Sequence, residues 1–184
     1  MKTEISNGII TLKQDKLSFA EQLFEAAYES RTVEFMRWMP WLKEDYKLSD
    51  TVEFMNGRAT DWENGTEKGY VIFDSKTSEA LGKVSLNSYN EINKFYNLGY
   101  WIRISRQKQG IASQATRLLA EEAFKSLEIN RIEILVAVGN IPSQKTAEKA
   151  GATKEGILRK RLKIGEEIHD AVIYSFVKGD FDYL

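Results

Sequence analysis

Apolar and polar positions alternate along this chain in two rhythms, one helical and one extended, and the switches between them mark out the elements. Gly8–Lys13 reads as a first strand. From Ser18 to Ser30 the apolar positions Phe19, Leu23, Ala26 and Ala27 recur at helical spacing, which predicts a helix with Ser18 as its cap. An aromatic segment follows, Phe35-Met36-Arg37-Trp38-Met39-Pro40-Trp41-Leu42. Pro40 argues against an uninterrupted helix there, because proline lacks the amide donor and crowds the preceding turn. A second helix is predicted from about Ser49 to Trp62.

At Lys68 the period shortens to two. Tyr70–Asp74, Ala80–Tyr89 and Phe95–Ile104 predict a three-stranded meander, since turn residues separate β-rich runs. On the third strand Tyr96, Leu98, Tyr100, Ile102 and Ile104 share one face, and Asn97, Gly99, Trp101 and Arg103 share the other. After a loop from Ser105 to Gln109, the stripe Ile111, Ala115, Leu118, Leu119, Ala123 and Leu127 predicts a long helix. Arg131–Val138 alternates as a strand. A short helix from about Pro142 to Ala150 closes on Gly151, and strands near Thr153–Ile164 and Ile168–Val177 end the pattern. The order predicts one α/β (α+β) sandwich with a mixed sheet, formed by residues 1–184 as a single domain.

Composition narrows the functional classes. Acids and bases nearly cancel to a net charge of −1, which lowers the weight of a dedicated nucleic-acid binder. The chain has no cysteine, so disulfides, thiolate metal sites and a cysteine nucleophile are all excluded. With one histidine, His169, a metal site is not expected. No apolar run has transmembrane length and the first residues carry no signal-like apolar region, so a cytoplasmic protein with no membrane contact is expected.

The most informative stretch is Gln107-Lys108-Gln109-Gly110-Ile111-Ala112-Ser113, which joins a strand to a helix. Gly110 lets the backbone approach a ligand, and the free N–H groups at the helix start make an anion site suited to a pyrophosphate. A tight strand-to-helix turn alone also accounts for the glycine. The phosphate loop of ATP and GTP enzymes, Gly-x-x-x-x-Gly-Lys-Ser/Thr, is absent, as is Gly-x-Gly-x-x-Gly after the first strand.

Gln107-x-x-Gly110-x-Ala112 after Gly99-Tyr100-Trp101-Ile102 is similar to the coenzyme A signature of the GNAT acetyltransferase superfamily. Asn140-x-x-Ser143 and then Lys149-Ala150-Gly151 resemble its second half. Trp38-Met39-Pro40-Trp41, the stretch from Gln109 to Gln114, and Gly165 followed by His169-Asp170 resemble the Rim-type ribosomal-protein N-terminal acetyltransferases. These matches run through almost the whole chain in the right order. The resemblance implies a sandwich whose mostly antiparallel sheet is splayed beside the long strand, with acetyl-CoA as cosubstrate and no metal.

It also implies roles. Gln109, Gly110, Ile111, Ala112 and Ser113 would hold the pyrophosphate. Backbone groups of Ile102, Arg103 and Ile104 would pair with the pantetheine arm like an added strand, and an N–H there would stabilise the oxyanion. Asn140 would bind the pantetheine and Ser143 would act at the leaving sulfur. Both also suit a helix start, Asn140 as cap and Ser143 in the first turn, and the two roles use different atoms. Trp38, Trp41 and Asn97 are the candidate substrate-binding residues, although an aromatic pair can equally be core.

Two departures from the resemblance bear on chemistry. Ala147 stands where many members carry a tyrosine acid, and Asn97 and Arg161 stand where a glutamate base is often found. Glu91, Glu166, Glu167 and Asp170 remain as candidate carboxylates. A site with a weak base favours an N-terminal amine: at pH 7.5 an α-amine of pKa about 7.8 is roughly one-third neutral, against about 0.1% for a lysine. The expected acceptor is therefore a protein N-terminus, which the resemblance implies to be a ribosomal one; a small amine (polyamine, amino sugar or toxin) and a decayed coenzyme A sensor are the alternatives. His169 and Asp170 point to opposite strand faces and do not form a dyad. Leu158–Lys163 reads as a solvated strand or a basic patch. A homodimer is a common state for such a domain.

Overall fold

Eight strands and six α-helices follow the rhythm of the sequence in a computed structural model, which describes residues 1–181. The strands are β1 (Glu4–Ser6), β2 (Ile10–Gln14), β3 (Lys68–Asp74), β4 (Ala80–Asn90), β5 (Phe95–Ile102), β6 (Arg131–Ala137), β7 (Thr153–Ile164) and β8 (Glu167–Val177). They form one sheet in the order β1-β2-β3-β4-β5-β6-β8-β7. The expected meander is β3-β4-β5, antiparallel throughout. All pairings are antiparallel except β5 with β6. Sheet and flanking helices together make the expected mixed α/β sandwich.

Four expectations are corrected. The chain opens with a hairpin rather than one strand, because Glu4–Ser6 pairs with Thr11–Lys13 across a turn that the Asn7 side chain holds. Ser18 lies in a 3₁₀ turn, Leu17–Phe19, and does not cap α1 (Ala20–Glu29). The helix expected from Ser49 to Trp62 is two helices, α3 (Leu48–Asn56) and α4 (Arg58–Asn64), that meet at Gly57. Ile104 has left the strand for a 3₁₀ turn and is exposed. Before Pro40 the chain forms a short helix, α2 (Val33–Trp38), capped by the Thr32 side chain.

The two sheet faces bury different partners. Helix α5 (Ile111–Ser126) inserts its stripe Ile111, Ala115, Leu119 and Ala123 against Leu98, Ile102, Ile132, Ile134 and Phe176. Helix α6 (Ile141–Ala150) adds Ala147 and Ala150 to that side. On the opposite face, Leu23 of α1 and Met55 of α3 cover Val71, Phe73 and Ala80. Burying each such aliphatic side chain stabilises the fold by about 1.5–3 kcal/mol before entropy is counted.

Ion pairs tie the helix layer to the end of β5. Arg103, just past the strand, bonds Glu29 at the end of α1 and lies 2.9 Å from Glu79. The Arg103 guanidinium, helped by Ser105, pulls the Glu29 carboxyl down to about 2. A carboxylate whose folded pKa lies below its unfolded value adds stability above the unfolded value and loses it as the solution is acidified. Stability should therefore fall between about pH 4.5 and 2, by about 1 kcal/mol for this pair because it is partly screened. Urea unfolding against pH checks this, and Glu29→Gln should flatten that part of the curve.

Gly82 on β4 sits at φ +148, and an added Cβ would lie 2.1 Å from the Trp101 carbonyl oxygen of β5. The obstacle is backbone, so the strands must separate. Gly82→Ala should cost about 2–4 kcal/mol, seen as a lower melting temperature, and should disturb β5 where it faces the candidate site.

Candidate active site

β5 and β6 run parallel but pair only through Phe95↔Arg131, Tyr96↔Ile132 and Asn97↔Glu133. Beyond these residues each strand stays bonded to its outer neighbour, β5 to β4 and β6 to β8, while the two move apart. A cavity of about 670 Å³ fills the gap and continues under the helix layer. It is lined by the consecutive residues Leu98–Trp101 on one strand and Ile134–Ala137 on the other. Consecutive residues point to both faces of a strand, so the strand edges themselves border the space.

Those edges turn backbone groups toward the opening, where the Ile102 carbonyl accepts from Gln107 Nε2 at 3.3 Å. The Arg103 N–H donates to the Leu81 carbonyl at 2.8 Å, and antiparallel alternation then turns Trp101 and Gly99 toward β4 as well. The same alternation turns the groups of Leu98, Tyr100 and Ile102 toward the opening. The expected set of three divides on this alternation. Ile102 faces the opening, whereas the Arg103 N–H is taken by β4 and the Ile104 N–H donates to Ser30 Oγ at 3.0 Å. Tyr100 and Leu98 are the donors that sequence reasoning missed, since it could not say which edge each N–H would use.

Ser143 and Asn140 meet Tyr100 at one rim of the cavity. Asn140 is the N-cap of α6, its side-chain oxygen accepting from the Ser143 N–H at 3.2 Å, which leaves its amide N–H₂ free to meet a ligand. The Tyr100 phenol donates to the Ser143 carbonyl at 2.9 Å and lies 3.1 Å from Ser143 Oγ. Burial pushes this phenol up to about 12, with the Ser143 bond opposing. Ala147, one turn further along α6, is fully buried and offers no donor.

The Gly110 turn lies outside that cavity, at the start of α5. Gly110 is the N-cap in the left-handed region, φ 76, with no side-chain cap, so the first N–H groups of the helix have no capping side chain. Ile111 and Ser113 are buried, Ser113 Oγ donating back to the Gly110 carbonyl at 2.9 Å. Ala112 is half-buried beside them, and Gln109 is exposed with its amide toward the Ser105 carbonyl. Lys149 of α6 brings its ammonium to 3.2 Å from where a Gly110 Cβ would stand. Its place in the sequence signature gave no hint of that contact. Helices α5 and α6 both begin beyond the carboxyl ends of the parting strands, the position where open sheets with parallel strands bind elongated ligands. A phosphate-bearing ligand fits these residues: dipole and lysine at one end, strand-edge donors along its length, Ser143 at the other.

The opposite wall is aromatic. Trp38, Trp41 and Trp101 line the cavity, the last two 5.6 Å apart between ring centroids. Trp38 packs on Gly139 and, edge to face, on His169. Asn97 does not line the cavity. It sits on the paired part of β5 and donates to Asn87, which does line it, at 2.9 Å.

The candidate carboxylates are placed elsewhere. Glu91 is exposed in the turn after β4, Glu166 faces Lys163, Glu167 faces His169, and Asp170 accepts the Lys160 N–H. None of them lines the cavity, and nor does the exposed Arg161. Two other carboxylates do, Asp50 and Glu67, and both are engaged. Asp50 accepts the Lys47 N–H at 2.8 Å, and Glu67 pairs with Arg58 at 2.6 Å and Lys83 at 3.4 Å. Lys83 is itself buried on the carboxylate of Asp15, whose pKa burial raises against the opposing pull of Lys83. Among the described residues no cluster of three His, Asp or Glu is arranged to hold a metal ion, and no helix is long and apolar enough to cross a membrane.

Comparison with known proteins agrees with this geometry. Residues 15–153 match the family described as acetyltransferase (GNAT) domain. YdaF of Bacillus subtilis (strain 168) is 30% identical over 182 residues, covering 96% of this chain and 95% of its own. The ribosomal-protein-serine acetyltransferase of Escherichia coli K12 is 29% identical over 140 residues, covering 76% and 75%. Among solved structures, the microcin C7 self-immunity acetyltransferase MccE, in complex with acetyl-CoA and AMP, superposes with a TM-score of 0.85 at 31% identity, covering 93% of each chain. The ribosomal L7/L12 α-N-protein acetyltransferase RimL, in complex with coenzyme A, shares the fold at a TM-score of 0.81 and 24% identity, covering 95% and 97%. With the match spanning most of the chain and the parted strands in place, this protein belongs to the GNAT acetyltransferase family.

Proposed function

We propose that the chain, acting as one domain, transfers the acetyl group of acetyl-CoA directly to the N-terminal α-amine of a protein, with a ribosomal protein as the favoured acceptor. The observation that carries the α-amine is the state of the cavity's carboxylates. Asp50 accepts the Lys47 N–H at the α3 start and Glu67 pairs with Arg58 and Lys83, so neither cavity carboxylate stands unengaged beside the reacting nitrogen. An acceptor must then arrive largely neutral, which an α-amine of pKa about 7.8 does and a lysine of about 10.4 does not. The name of the Escherichia coli relative, a ribosomal-protein-serine acetyltransferase, supports an N-terminal serine as the acceptor. A ribosomal acceptor places the reaction in the cytoplasm.

Each residue then has a task. Gly110–Ser113 and Lys149 hold the pyrophosphate, and the strand-edge groups of Leu98, Tyr100 and Ile102 bind the pantetheine and stabilise the oxyanion. Asn140 holds the same arm, and Ser143 meets the leaving sulfur, a thiolate of pKa about 8.5 that needs only modest help. Trp38, Trp41 and Trp101 wall the acceptor side.

A second reading has its own support. The tryptophan wall suits a flat ring, and MccE, which shares this fold at 31% identity, was solved with AMP. A small amine joined to a nucleotide is therefore the alternative acceptor.

Coenzyme A release, measured with a panel of amines, decides between them. A serine-initiated peptide should be acetylated, and the same peptide blocked at its N-terminus with an internal lysine should not. Preference for the lysine overturns the α-amine reading, preference for an aminoacyl nucleotide analogue selects the alternative, and no turnover with any amine points to a coenzyme A sensor. With no base in the site, kcat/KM should rise with pH along the acceptor's own titration, levelling above about pH 8. Ser143→Ala should lower kcat about ten- to a hundredfold at unchanged acetyl-CoA affinity. Gly110→Asp should instead weaken acetyl-CoA binding at least about tenfold in a calorimetric titration, since it sets a like charge against the pyrophosphate and strains the turn.

A further inference from the structure

Ser113 and Ser143 occupy the same place in two helices, three residues after the N-cap, and their hydroxyls do different things. In α5, Ser113 Oγ donates back to the cap carbonyl of Gly110 at 2.9 Å, the usual local bond for a serine in a first turn. In α6, Ser143 Oγ makes no such bond to Asn140, and its one side-chain partner is the Tyr100 phenol at 3.1 Å. Left alone, a serine hydroxyl is a rotor that satisfies itself on the nearest carbonyl. Something holds this one away from that fate, and 43 positions separate the two residues in sequence.

We propose that Tyr100 is a positioning residue for Ser143, its phenol holding the serine hydroxyl out of the local bond and turning it toward the departing sulfur as a polarised hydrogen-bond donor. This rests on the reading of Ser143 as the group that meets the thiolate. The phenol has one proton and two acceptors in reach, the Ser143 carbonyl and Oγ. With the proton on the carbonyl, the serine donates to the phenol oxygen. When negative charge gathers on sulfur, the phenol turns its proton to Oγ and the serine turns its own to the sulfur. Two donors in series polarise one another and strengthen the final bond.

The chemistry balances without ionising either hydroxyl. The C–S bond breaks with its electron pair on sulfur, the new C–N bond forms, and the proton shed by the nitrogen leaves to solvent. Burial keeps the Tyr100 phenol neutral throughout the working range, as a donor must be.

The thiol of bound coenzyme A reports this chain of bonds without any acceptor. A donor aimed at the thiolate lowers the thiol's pKa, and loss of the donor raises it. Thiolate absorbance is titrated in the coenzyme A complex against the desulfo-coenzyme A complex, for wild type, Tyr100→Phe, Ser143→Ala and the double variant. Tyr100→Phe removes one oxygen and keeps the ring, and melting temperatures check that the fold survives. Expected is a thiol that ionises about three- to tenfold less readily in both single variants, with affinity for desulfo-coenzyme A unchanged. The double variant should go no further than Ser143→Ala. A thiol that moves in Ser143→Ala but stays at the wild-type value in Tyr100→Phe overturns the proposal, as do additive shifts in the double variant. If neither variant moves it, the reading of Ser143 at the sulfur fails, and the positioning role fails with it. Transfer to an α-amine is left standing or falling on the amine panel alone.

Discussion

The site depends on two parallel strands that pair at one end and part at the other. β5 and β6 share only the bonds around Phe95–Asn97, yet each is held along its other edge, by β4 and β8 respectively. The half-sheets are therefore rigid while the seam between them is open. An open seam leaves backbone donors and acceptors without partners, and such groups cost free energy unless water or a ligand satisfies them. A ligand that offers an alternating amide chain can take the place of the missing strand. Both helices that follow the parting strands also begin at the mouth of this seam. The uncapped N–H groups of α5 and the Lys149 ammonium collect positive potential at the point where a pyrophosphate would lie.

Charges at and behind the cavity wall set a second constraint. Asp15, Lys83, Glu67 and Arg58 form a chain of alternating charges, in which Lys83 and Asp15 are almost completely buried. Buried charges of this kind recover their desolvation cost only by pairing with one another. The consequence for the site is geometric: the Glu67 carboxylate on the cavity wall is held by two cations. The ion network also fixes the loop before β3 against β4, which keeps the aromatic wall in register with the seam.

Much of this architecture was legible in the amino-acid order. The meander, the long helix α5 and the capped start of α6 follow from periods of two and 3.6, from Asn140 and Pro142, and from Gly151 at the end. The Gly110 turn followed from the need for a flexible residue without a Cβ at a strand-to-helix junction. Less legible was the first hairpin, because Glu4–Ser6 is too short to show alternation, and the Gly57 break, because apolar spacing runs through it. That the Arg103 and Ile104 N–H groups go to β4 and to Ser30 was not legible either, since sequence alternation says which face a side chain takes but not which neighbour its backbone meets.

What the sequence settled by itself was therefore local: which stretches extend, which coil, which side of each is buried, and where a helix start stands open to an anion. Those properties depend on residues within a few positions of one another. Tertiary structure decided the rest. It put Tyr100 on Ser143, Lys149 on Gly110, Asn97 behind Asn87, and Glu67 in the grip of Arg58 and Lys83. Each is a contact between elements that do not adjoin in the chain or that meet only through the sheet's register, and local periodicity carries no record of such a partner. Only when the strands are ordered and the seam opens do those side chains share one space.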